Sequence, residues 1–242
     1  MLLNEQALND LRNDVVARYP EEACGLIVRG QYRPMANVAE NPLETFRIAP
    51  ADYLSALAEG VDAVIHSHPY KIDEPPAHPA NWPSTADMKG WMASGVPWGI
   101  CSTEGEGISE LVWLDEQNPQ PLVGREFIHG VNDCYSLVRD WFRLERGIVL
   151  PNFARGMDWW DRGDDLYDQN FQAAGFVEIP MSEVQVGDCV LFKVRSPVTN
   201  HAAVITGENE ILHHLFHRLS GHDTLSKWHR VINRAVRYRG SE

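Results

Sequence analysis

The stretch DEQNPQPLVG, residues 115–124, constrains the fold more than any other part of the chain. Its two prolines, polar side chains and lack of apolar periodicity mark a connector rather than an element of structure. It cuts a chain of 242 residues near the middle, leaving two lengths of ordinary domain size. The expected division is a first domain over residues 1–114, a linker over 115–123 and a second domain over 124–242.

The patterns on the two sides differ. Before the linker, Leu3, Ala7, Leu8, Leu11, Val15 and Val16 fall at helical spacing, and Tyr19-Pro20 ends that helix. CGLIVRG, VDAVIHSH, WGICST and ISELVWL read as strands. ADYLSALAEG and STADMKGWMASG read as helices, the first ended by Gly60 and the second capped by Ser84. This alternation predicts a layered α/β or α+β domain. After the linker, Cys134, Leu137, Val138, Trp141 and Phe142 predict a helix, and helical character returns over residues 165–174. DCVLFKV, HAAVIT and EILHHLF follow as short strands, so the second domain is expected to be α+β.

Hydrophobic residues make up 44% of the chain, enough for a core. A formal net charge of −13 argues against sequence-independent binding of nucleic acid, which needs a basic face. No apolar run approaches the roughly 20 residues of a membrane span. MLLNEQALND has no basic region leading into an apolar core, so no signal peptide is expected and a reducing cytoplasm is. The four cysteines are dispersed, which points to one reactive thiol among inert ones.

The first constellation is histidine-rich. His66 and His68 are two residues apart on a predicted strand and project to one face. Pro69 is expected to end that strand and leave the pair at its exposed end. Asp87 falls in the first turn of the next helix, where its carboxylate can join them. Two imidazoles and a carboxylate are a catalytic zinc donor set, which makes hydroxide available near neutral pH. HxH also occurs at ordinary polar strand ends, and Ser84 with Asp87 matches a capping box that needs no metal. Glu22 lies ahead of a buried strand, where a carboxylate can accept a proton from water. EACGLI, HSHP and PSTAD, in that order, resemble the JAMM (Mov34/JAB) metallopeptidases. That resemblance implies a cytidine-deaminase-like layered domain, with His66, His68 and Asp87 as Zn2+ ligands, Glu22 as general base and Ser84 stabilising the oxyanion. The chain departs from the family in the length of the proline-rich segment 70–83. His78, Asp73 and Glu74 within it are expected to be solvated.

The second constellation centres on Cys134, at the start of an amphipathic helix whose amides and dipole favour a thiolate. A turn at Gly207 would pair the next two strands and stand His201 beside His213. Cysteine, histidine base and an orienting group form a hydrolase arrangement. Cys24, Cys101 and Cys189 lie in apolar strands and read as core. NDCYSLVRDWF, VQVGDCVLF, NHAAVITG and LHH resemble the NlpC/P60 cysteine peptidases, which cleave peptidoglycan stem peptides. The resemblance implies a papain-like fold with Cys134 as nucleophile, His201 as base and His213 as orienting residue, His214 being the fallback. Phe127 stands where that family often has tyrosine, and Tyr135 where it usually has serine.

The two families in this order resemble the tail-tip assembly proteins of lambda-like siphophages. That implies other tail-tip proteins as partners, peptidoglycan peptides as substrate, and a place first in the host cytoplasm and then in the virion tip. Two readings of function follow: a two-headed peptidase, or a structural tail component whose catalytic sites are relics. An isopeptidase acting on ubiquitin-like conjugates would fit the first half and leave Cys134 unexplained.

Overall fold

A computed structural model describes residues 3–116, 119–157 and 159–240. In chain order the elements are α1 (Glu5–Arg18), β1 (Cys24–Val28), β2 (Gln31–Met35), α2 (Pro50–Glu59), β3 (Val61–Pro69), α3 (Thr85–Ser94), β4 (Trp98–Thr103) and β5 (Val112–Leu114). They continue with α4 (Cys134–Arg146), α5 (Leu166–Asn170), β6 (Phe176–Ile179), β7 (Cys189–Phe192), β8 (His201–Gly207), β9 (Glu210–His213), β10 (Gly221–Thr224) and β11 (Ile232–Tyr238). Contacts divide the chain into two units, Met1–Pro83 with Lys89–Asn118, and Ser84–Met88 with Pro119–Glu242. The division passes through α3, which is one continuous helix. Positions 117 and 118 of the expected linker lie outside the described residues.

The first unit is a five-stranded sheet in the order β2-β1-β3-β4-β5. Only the β3–β4 pair is parallel, as its connection through α3 requires. Alternation along β3 sorts its side chains. Ala63 and Ile65 face the core built with Leu11 and Val15 of α1, and His66 and His68 face the other way. Asn4 caps α1 by accepting from the Ala7 amide at 2.8 Å. Tyr32 donates to Asp14 at 2.8 Å, tying β2 to that helix. The ring of Tyr32 lies over Gly25, where a Cβ would come within 2.6 Å of its hydroxyl oxygen.

The second unit is an antiparallel six-stranded sheet in the order β10-β9-β8-β7-β11-β6. One face carries Leu191, Ala202, Val204 and Leu212 against Leu137, Val138 and Phe142 of α4. The other carries Phe192, Ala203, Ile205 and Ile211 against Leu225 and Trp228. Asp133 caps α4 by accepting from the Ser136 amide, and Gly147 ends it in the left-handed region at φ 66°.

Several expectations need correction. ISELVWL forms a strand only at Val112–Leu114. The helix over 165–174 stops at Asn170 and gives way to turns. EILHHLF is a strand only to His213, so His214 lies outside it. β2, β6, β10 and β11 were not anticipated; β2 and β10 are sheet edges with short, polar-rich sequences that carry little periodic signal.

Candidate active sites

β3 brings His66 and His68 together, their Nε2 atoms 3.0 Å apart. Ligating atoms of His66, His68 and Asp87 all lie within 4.8 Å of one another. The pair does not sit at an exposed strand end. β3 runs on through Pro69, and His66 is fully buried beneath Phe46, which stacks on it at 4.4 Å, and Trp98 at 5.6 Å. His68 Nδ1 donates to the Ala80 carbonyl at 2.7 Å, which leaves its Nε2 lone pair facing the cluster. The segment 70–83 therefore reaches back and orients a histidine. Within it, Asp73 and Glu74 are exposed, and His78 lies outside the cluster and stacks on Trp82.

Ser84 and Asp87 form the reciprocal cap. The Ser84 amide donates to Asp87 Oδ2 at 2.7 Å, and the Asp87 amide donates to Ser84 Oγ at 3.1 Å. The cap engages Oδ2 of the Asp87 carboxylate. Ser84 itself is exposed. Glu22 is buried at 6% exposure. Cys24 pairs with His66, and the Ala23 carbonyl and amide bond the Ser67 amide and hydroxyl. Continuing that antiparallel register sets Glu22 at the level of His68.

In the second unit, the register Ala203↔His213 makes His201 the diagonal neighbour of His213. His201 Nε2 meets His213 Nδ1 at 3.1 Å. Trp228 covers both rings, at 6.2 and 5.1 Å. His214 instead bonds the Arg218 carbonyl at 3.0 Å and packs edge-on against Phe127. The geometry thus brings His213, not His214, to His201. Burial, then the neighbouring His213 and His214, push His201 well below the usual histidine range; burial takes His213 down to about 4. Both rings are neutral at pH 7.

Cys134 and His201 line one cavity of about 770 Å³. Among the described residues no hydrogen bond joins them; Sγ meets the Tyr167 hydroxyl at 3.2 Å. The expected thiolate is corrected: burial and then the Asp133 carboxylate push the Cys134 thiol up to about 11. The helix N-terminus does not outweigh burial and an anionic cap beside the sulfur. Asp133 is itself held by Arg155, whose Nε and Nη2 donate to its two oxygens at 2.6 and 2.9 Å. Burial alone would raise that carboxyl, but the guanidinium holds it below the usual carboxylate range. Arg155 also donates to Ser136 Oγ at 2.8 Å, locking the first turn of α4. Tyr167, Arg155 and Trp228 carry no motif, and nothing in their spacing marks them. Cys24, Cys101 and Cys189 are buried core residues, as read from their strands.

Residues 124–237 match the NlpC/P60 family. The chain is 36% identical over 194 residues to the tail tip assembly protein K of Escherichia phage lambda, covering 79% of this chain and 89% of that protein. It is 31% identical over 252 aligned positions to tail tip assembly protein K of Escherichia phage N15, covering 99% and 98%. Among solved structures, it is similar to an NLP/P60-family protein of Staphylococcus aureus at 24% identity and a TM-score of 0.36, covering 50% of this chain and 38% of that one. The chain belongs to the tail tip assembly protein K family of lambda-like phages, with an NlpC/P60 domain, of cysteine-peptidase type, in its second half.

Proposed function

We propose that this chain is a tail-tip assembly protein that hydrolyses amide bonds in peptidoglycan stem peptides through Cys134, with other tail-tip proteins as partners. The observation that carries the reading is the His201–His213 hydrogen bond at 3.1 Å beside a cavity shared by His201 and Cys134. With its Nε2 hydrogen donated to His213, His201 has Nδ1 free to take the thiol proton. Rotation of the thiol about χ1, away from Tyr167, delivers it. Sulfur then bonds the substrate carbonyl carbon, the carbon–nitrogen bond breaks, and His201 returns the proton to the leaving amine. Water hydrolyses the thioester and regenerates the thiol.

A second proposed site is a zinc peptidase of JAMM type, with zinc held by His66, His68 and Asp87. The donor set fits. Two zinc–nitrogen arms of ~2.05 Å at a tetrahedral angle place the nitrogens about 3.3 Å apart, close to the 3.0 Å separation of the imidazoles. The Ala80 carbonyl fixes the His68 tautomer that such a role needs. Bound zinc would supply Lewis-acid activation; Glu22 would hold a proton from water, and Ser84 Oγ would donate to developing negative charge.

Purified sacculi incubated with wild type and Cys134→Ala, followed by fragment profiling, test the thiol site. Release by wild type alone is expected; equal release by both sinks it. Metal analysis of protein purified without chelator tests the other site. Zinc near one per chain in wild type and none in His66→Ala is expected, and zinc-free wild type overturns it. The resting bond of Cys134 to Tyr167 favours a second reading, an assembly component without peptidase activity. Intact phage titre with Cys134→Ala and Glu22→Gln combined would favour it.

A further inference from the structure

Two loops of the second unit bring unneutralised positive charge to the cavity over Cys134. Arg195 lies between β7 and β8, and Arg218 follows β9; both line the cavity and both are exposed. Among the described residues no carboxylate pairs with either guanidinium, whereas the buried Arg155 of the same wall is matched by Asp133. Asp161 is the remaining acid of the lining. The wall therefore carries an excess of positive charge in a chain whose net charge is −13.

Both loops are fixed. The Val194 amide and carbonyl bond the Asn200 side chain at 2.8 and 3.0 Å, closing the first. His214 bonds the Arg218 carbonyl at 3.0 Å and the Arg218 amide bonds the Leu215 carbonyl at 3.1 Å, closing the second. Arg195 at φ 51° and His217 at φ 60° occupy the left-handed region. Side chains avoid that region, so such residues persist only where their surroundings hold them. Arg29 is the one other described non-glycine residue in that state. Two loops held this way present their arginines at one cavity mouth, while Trp160 and Phe216 give it apolar sides.

We propose that Arg195 and Arg218 form an anion-binding rim of the cavity over Cys134 that selects anionic peptides. The peptide nature of the ligand rests on the thiol-peptidase reading; the rim does not. Alkylation of Cys134 reads the rim directly, using iodoacetate and neutral iodoacetamide as probes at low ionic strength, with peptide mapping of the label. Cys24, Cys101 and Cys189 are 0, 0 and 2% exposed, so label is expected at Cys134. A unit charge ~7 Å away in water changes an anion's rate by about threefold. The iodoacetate-to-iodoacetamide rate ratio is expected to fall about threefold in Arg195→Gln and in Arg218→Gln, and about tenfold in the double variant. Arg143→Gln, about 13 Å further along α4, changes it less than about twofold. An unchanged ratio in the double variant, or an equal fall in Arg143→Gln, overturns the rim. Neither result depends on peptide hydrolysis, so a protein inactive on sacculi with an arginine-dependent ratio refutes the peptidase reading and keeps the rim.

Discussion

Asp133→Asn separates two jobs that one carboxylate performs. Asparagine caps a helix about as well as aspartate, so the bond from the Ser136 amide survives. The charge does not, and Arg155 is left buried at 5% exposure without its counterion. Breaking a buried pair from one side costs about 3–5 kcal/mol. At a urea slope of about 2 kcal/mol/M the midpoint of the second unit should fall by about 2 M. Arg155→Met in the same background removes the stranded charge and should recover more than half of the loss. Thiol chemistry provides an independent readout. Asp133 follows burial as a cause of the high Cys134 pKa, and Arg155 opposes it. Asp133→Asn should therefore speed iodoacetamide labelling of Cys134 at pH 8, and Arg155→Met should slow it, although both variants are destabilised. A stability loss under 1 kcal/mol in Asp133→Asn, or labelling rates that move together, would refute this account of the ion pair.

The remaining predictions concern pH, the sulfur's partner and the first unit's packing. His201 and His213 have folded pKa values below the unfolded value near 6.5, so the unfolded chain binds protons first. Stability should be full above pH ~6.5 and fall toward pH 4, and His213→Gln should flatten that limb in denaturant titrations read at successive pH values. Tyr167→Phe removes a hydrogen bond that lowers the Cys134 pKa, so labelling at fixed pH should slow; unchanged labelling would show that the 3.2 Å contact does not act on the sulfur. Gly25→Ala drives a Cβ into the Tyr32 ring, which costs about 1–3 kcal/mol and should be recovered in part by adding Tyr32→Leu, measured by thermal melts.

The sequence by itself determined the two-part organisation, the strand that pairs His66 with His68, and the helix that opens on Cys134. These are local properties: side chains alternate along a strand, and a serine three residues before an acid caps a helix. It also named His213 as the partner of His201, with His214 as the fallback, because neighbours on a strand face opposite sides and only one can serve. The tertiary structure supplied the pairing itself, through the β8–β9 register. The state of the thiol was out of the sequence's reach. Asp133 reads as a cap beside Cys134, but its charge is held by Arg155 and the sulfur is met by Tyr167, 22 and 33 positions further along the chain. Which charges a buried group feels depends on distance in space, and no periodicity along the chain records that distance.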